Sequence, residues 1–234
     1  VHVDVGYAGG ESDGSREKPC ATTLCAVGKT KTGGRMVLAA GDYDEGVLLA
    51  KSISLMGRCN SMVKIVGIRE GPLGPVVVEA KGNVDITVRD LEISGPGVGL
   101  FVYSSARVSL ERVSLDGNRN MGLVVLQSGT SVSASDSLIA RTESLEDGTH
   151  GRGAQISDSA SLTLDRVARE IRRAAIDLPA GSLKTDAGEI LFRTTERRDF
   201  GREFADIPVI SRPDGSTLRL GEIAVITDGF ADID

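Results

Sequence analysis

The chain has 234 residues, 40% of them apolar, enough for a real core and too many for a disordered tail. Aromatic residues make up only 3%, Trp is absent and Gly numbers 29, a bias toward short strands and tight turns rather than a bulky globular interior. A formal charge of -6, with no basic run interleaved with aromatics, excludes a nucleic-acid partner, and no window approaches the roughly 18 apolar residues of a membrane span.

From the N-terminus, the chain opens at Val1 without a secretory signal and closes on Asp232-Ile233-Asp234, so it reads as a trimmed fragment whose address signal lies elsewhere. Cys20, Cys25 and Cys59 permit three disulfide pairings in an oxidising compartment, and the sequence separates none of them. A zinc site is disfavoured: there is no Cys-x-x-Cys pair, and the histidines are His2 and His150. Neither a metal nor another cofactor is expected.

The middle of the chain repeats itself. Ile86, Val88, Leu91 and Ile93 lie in NVDITVRDLEI, and the pattern returns 22 residues later as Val108, Leu110, Val113 and Leu115 in ARVSLERVSLD. A third copy carries Val132, Ala134, Ser137 and Ile139, and a fourth begins at Leu162, Leu164 and Val167. Gly-led apolar runs, VGLFV, MGLVVL and RGAQI, precede the last three copies, and KSISLMG and GPVVVEA read as earlier, less regular ones. A unit this small cannot bury its apolar face alone, so successive units must stack like strand on like strand. Parallel connections are right-handed almost without exception, which predicts a mainly β fold: a right-handed parallel β-helix, or solenoid, with coils over 46–168 and an N-terminal opening and cap over 1–45.

That opening, DGSREKPCATTLCAVGKTKTGGRMVLAAGDYDEGVLLAKSISLMG, resembles the bacterial right-handed β-helix repeat family, with Pro19, Ala21, Thr22, Gly41 and Tyr43 at the family's positions. The resemblance covers about residues 1–168. It implies an exported bacterial protein, periplasmic, cell-surface or secreted, with polysaccharide as its ligand class.

Carbohydrate-cleaving β-helices need converging carboxylates, as general acid and base or as calcium ligands beside a basic residue. The candidates are LDGNRN, with Asp116, Asn118, Arg119 and Asn120, and the long insertion ARTESLEDGTHGRG, with Glu143, Glu146, Asp147, His150 and Arg152. Asp-Gly-Asn is good turn chemistry, and an acidic excursion is what a solvated loop looks like. The Gly-His-Gly and paired-Asp motifs of polygalacturonases are absent, so no catalytic residue is assigned. Asp116, Asn118, Asn120, Asp147, His150 and Arg152 stand instead as a candidate ligand-binding surface, with a carbohydrate-active lyase or hydrolase as the alternative reading.

After residue 168 the chain changes character. Arg169 falls where the column of Ile93, Leu115 and Ile139 would continue, and an unpaired Arg in a dry core is very costly. Ala168, Ile171, Ala175 and Leu178 then follow helical spacing to a stop at Leu178-Pro179-Ala180-Gly181. GEILFRT alternates as a strand, and SRPDGSTLRLGEIAVI reads as two strands across a Pro-Asp-Gly turn, which makes 169–234 a small α+β segment with an amphipathic helix and hairpins. The order REIRRAAIDLPAGSLKTDAGEILFRT, EFADIPV, DGSTLRLGEIAVITDGFAD resembles the periplasmic docking region of resistance-nodulation-division (RND) efflux transporters. The resemblance implies a protein partner through 169–234 and no transport by this chain alone, and it makes the whole a chimera of two parts.

Overall fold

Short strands with an apolar residue at every second position bury one face only if like strands stack upon like. The structure, a computed structural model, describes residues 1–146, 148, 150–164, 178–185, 188–194, 201–211 and 217–223. These fall into two compact units, Val1–Thr163 and Leu164–Asp234.

The first unit stacks strands into three parallel sheets. Sheet 1 runs His2–Val3, Arg35–Leu38, Ile53–Met56, Asp85–Arg89, Arg107–Glu111, Ser131–Ser135 and Ser161–Leu164. Sheet 2 runs Gly41–Tyr43, Val63–Ile65, Glu92–Ile93, Ser114–Asp116 and Leu138–Ala140. Sheet 3 runs Val47–Leu49, Gly74–Lys81, Val98–Tyr103, Met121–Leu126 and Arg152–Ser157, and Arg69–Gly71 folds back antiparallel on Gly74–Lys81. The chain visits the sheets in that order and returns to the first one rung on, which is the topology of a parallel β-helix.

Register places the repeat's apolar residues in continuous columns, buried along most of their length and half-buried at Ile139 and Ala154. On sheet 1, Met36 pairs with Leu55, Leu55 with Val88, Val88 with Leu110 and Leu110 with Ala134. On sheet 2, Tyr43, Ile65, Ile93, Leu115 and Ile139 stand in file, and on sheet 3 so do Val47, Val78, Leu100, Leu123 and Ala154. Full burial of such a Val, Leu or Ile stabilises by about 1.5–3 kcal/mol. The expectation of a rung of 22 residues or slightly more holds for Val88 to Leu110 and Leu110 to Ala134, at 22 and 24, but the earlier rungs of the Met36 column take 19 and 33. Register in a solenoid is set by the strands, and the turns between them absorb insertions.

At the N-terminal end, helix Thr23–Lys29 follows Pro19. Thr22 caps it by accepting from the Cys25 amide, and the Glu45 carboxylate accepts from the Thr23 and Leu24 amides at 2.5 and 3.3 Å. Of the three disulfides the sequence permits, Cys20–Cys25 is formed and Cys59 is free.

In the second unit, Leu178–Thr185 pairs antiparallel with Gly188–Thr194, so Leu178-Pro179-Ala180-Gly181 begins a strand. The amphipathic helix expected over 165–177 lies outside the described residues. Pro208–Ser211 pairs antiparallel with Thr217–Arg219, the hairpin expected around Pro-Asp-Gly. The second of those strands is short: Leu220–Ile223 is a helical turn, packed where Leu220 is buried and its amide donates to the Ile207 carbonyl at 2.9 Å. A further short helix, Gly201–Ala205, precedes the hairpin.

Candidate functional site

Sheet 2 gives way to sheet 3 through turns, and two of these carry most of the polar residues singled out by sequence. One is 117–120, after Ser114–Asp116; the other is the insertion 141–151, one rung on. Backbone hydrogen bonds zip the two together. The Glu143 amide donates to the Asn118 carbonyl at 2.8 Å, the Asn120 amide to the Glu143 carbonyl at 2.9 Å and the Gly151 amide to the Asn120 carbonyl at 2.8 Å. The insertion folds back on itself through an antiparallel bridge between Ser144 and His150, with a turn closed by the Gly148 amide on the Leu145 carbonyl. Asn120 and His150 adopt the left-handed backbone, at φ 79° and 67°, which Asn and His tolerate better than most residues.

Asp116 is the last residue of its strand. Both its oxygens accept from Arg141, Oδ1 from Nε at 2.7 Å and Oδ2 from Nη2. These bonds hold its carboxyl below the usual range, against the opposing effect of burial. A carboxylate so held is an electrostatic and hydrogen-bonding group, poorly suited to donate a proton near neutrality. A looser pair, Arg119 with Glu143 at 3.7 Å, flanks it. Arg152, exposed at the start of its strand, is paired in register with Met121 and donates to the Gln155 side-chain oxygen at 3.3 Å. His150 is exposed on the insertion.

Asn118 belongs elsewhere. It is 0% exposed, and its amide nitrogen donates to the Ile93 carbonyl of the coil before at 3.0 Å, so its side chain is a piece of the interior rather than of a surface. Asp147 lies outside the described residues. The structure thus gathers Asp116, Asn120, His150 and Arg152 at one corner and turns Asn118 inward from the same turn.

Two groups escaped the sequence reading. Arg141 completes the Asp116 pair, and a signal for it existed: Asp85 to Arg107 and Asp90 to Arg112 are ion pairs spanning 22 residues, and Asp116 to Arg141 spans 25, an Asp answered by an Arg one rung later. The other is Glu79, a lone charge inside the apolar run GPVVVEA. It is 2% exposed, accepts from the Tyr103 hydroxyl at 2.6 Å and pairs with Arg69 and with Lys81 at 3.4 Å. Its partners stand on three strands of sheet 3, so it ties the folded-back strand Arg69–Gly71 to the two coils beside it. Among the described residues no group of three or more His, Cys, Asp or Glu is placed to hold a metal ion.

Three stacked parallel sheets define the first unit as a parallel β-helix. No family model matches the chain, and no curated protein matches it. Among solved structures it is similar to pectin methylesterase PemA from Erwinia chrysanthemi, at 15% identity and a TM-score of 0.41. The alignment covers 57% of this chain and 48% of that one, so the chain spans about half of that protein's length.

Proposed function

We propose that the β-helix is a non-catalytic, extracytoplasmic binding scaffold for polysaccharide, and that its ligand lies across the corner formed by 117–120 and 141–151. The observation that carries this reading is the corner itself. Asp116, Arg119, Asn120, Arg141, Glu143, His150 and Arg152 crowd onto two adjacent rungs, and Asp116 and Glu143 there are engaged by arginines. Arginine guanidinium groups, one of them holding the Asp116 carboxylate through two hydrogen bonds, match a hydroxyl-rich ligand, whose O–H groups both donate and accept. The Cys20–Cys25 disulfide supports an oxidising compartment outside the cytoplasm. Its likeness to the right-handed β-helix repeat family, read from the opening motif, supports a bacterial source.

The test is a binding screen of acidic and neutral polysaccharides against the full chain, with assays for reducing and unsaturated ends in the same samples. Binding without product is expected, weakened about tenfold or more by Arg152→Ala or Arg141→Ala, the loss of one charge-assisted hydrogen bond or two. Product that disappears in those variants establishes the carbohydrate-active enzyme in place of the scaffold.

For residues 169–234 we propose a protein-contact role like that of an RND docking segment, resting on residue order alone. Cross-linking of the full chain followed by mass spectrometry tests it: links between copies through 178–194 or 201–223 are expected, and their absence removes the docking reading. An uninterrupted genomic reading frame across residue 168 decides whether the two parts are one natural chimera.

A further inference from the structure

The inside of the same corner shows a size exchange from rung to rung. Three positions on successive sheet 3 strands, Val77, Gly99 and Gly122, are each overlaid by a turn residue of the next coil. In the first pair Val77 meets Gly95: a Cβ on Gly95 would stand 2.7 Å from a Val77 methyl. In the next two the order of size reverses. A Cβ on Gly99 would meet the Asn118 amide at 2.7 Å, and one on Gly122 would meet Thr142 Oγ1 at 3.2 Å. Glycine on the strand therefore leaves room for a polar side chain on the turn.

Those polar side chains are stacked one rung apart, about 4.8 Å along the solenoid axis. Asn118 is satisfied at one end only. Its nitrogen donates to Ile93, while Oδ1, with no solvent exposure, has no hydrogen-bond partner among the protein groups. Thr142 Oγ1 is likewise buried and unpartnered. A buried oxygen left without a donor costs about 1–3 kcal/mol, and two such atoms one rung apart are spaced for a single bridging molecule, since two hydrogen bonds of about 2.8 Å span that gap.

We propose that this corner is a binding site for one fixed internal water, which donates to Asn118 Oδ1 and exchanges a hydrogen bond with Thr142 Oγ1. Water fits the donor deficit: Asn118 Oδ1 accepts only, and a water brings two O–H groups. A bare cation would meet oxygens too, but among neutral side chains its charge would be buried without a counter-ion. The water joins the coil of Asn118 to the coil of Thr142 where the insertion 141–151 departs, so it fixes the base of the loop that presents Arg141 and Glu143.

The test uses the intact chain. A crystal structure at about 1.5 Å, grown once in sodium and once in rubidium salts, is expected to show a peak of constant height within about 2.7–3.2 Å of both oxygens. In solution the Asn118 side-chain amide should show a cross-peak to a long-lived water, lost in Thr142→Val, which keeps the shape and removes the hydroxyl. Direct contact between Thr142 Oγ1 and Asn118 Oδ1, a peak that grows with rubidium, or a water cross-peak unchanged in Thr142→Val would each overturn the proposal.

Discussion

Tyr43 shows how one residue can report on the whole N-terminal end. Its ring heads the sheet 2 column at 1% exposure, and its hydroxyl donates to the carbonyls of Ala39 at 2.9 Å and Val3 at 3.2 Å. Burial, with the nearby Asp4 charge, pushes its pKa up to about 12. The neutral phenol is therefore favoured by folding: its contribution is complete below the unfolded value near 10 and is lost as pH rises through about 12. The melting temperature should fall between those two values, and more steeply than in Tyr43→Phe, which has nothing to titrate there. The acid side has the opposite sign. Arginine hydrogen bonds lower the pKa values of Asp90 and Asp116, so each contributes above the unfolded value near 3.9 and loses that contribution as pH falls through its lower folded value. Because the Arg141 side chain is 79% exposed, solvent screens the pair and the effect on melting should be small. Carboxyl NMR titration of Asp116 checks the direction: a midpoint below 3.9, returning toward it in Arg141→Gln.

Among the strands, burial distinguishes residues that a hydropathy reading treats alike. Leu110 stands in the sheet 1 column at 2% exposure, whereas Leu138, the same residue type in a strand of sheet 2, is exposed at 47%. Chemical denaturation should find Leu110→Ala destabilised by about 2–5 kcal/mol and Leu138→Ala within about 0.5 kcal/mol of the parent. Gly99 makes the converse point. A Cβ there would stand 2.6 Å from the Gly122 carbonyl and 2.7 Å from the Asn118 amide, contacts that need backbone to move. Gly99→Ala should cost about 1–3 kcal/mol by the same measurement, whereas Gly28→Ala, where nothing lies within 4 Å, should be tolerated or mildly stabilising.

For the molecule as a whole, the parallel β-helix was legible because its signal is redundant. Val88, Leu110 and Ala134 each announce the same column, and an error at one position is corrected by the next. The corner was only half legible. Asp116, Asn120, His150 and Arg152 could be picked out by type and by their place in turns, but no local rule says which way a turn residue faces. Asn118 and Asn120 differ by two positions in one loop, and Asn118 is wholly interior while Asn120 is half-buried, its backbone carbonyl accepting the Gly151 amide at the edge of the insertion. In the second unit the hairpin strands of GEILFRT and around Pro-Asp-Gly follow alternation and turn chemistry. The strand character of Leu178-Pro179-Ala180-Gly181 does not, since its pairing partner, Phe192 to Thr194, lies beyond the window over which helical spacing is counted.

By itself the sequence determined that short strands must stack, which residues form the columns and where its polar turns fall. These follow from composition and periodicity, properties of the chain before it folds. Only the tertiary structure decided that Cys20 meets Cys25, that Arg141 takes Asp116, that Glu79 is held by three partners and that Asn118 turns into the core. The pairings of Arg141 with Asp116, of Glu79 with Arg69 and Tyr103, and of Asn118 with Ile93 bring together atoms whose separation depends on the length of the intervening turns, and turns are the part of a solenoid that periodicity leaves free.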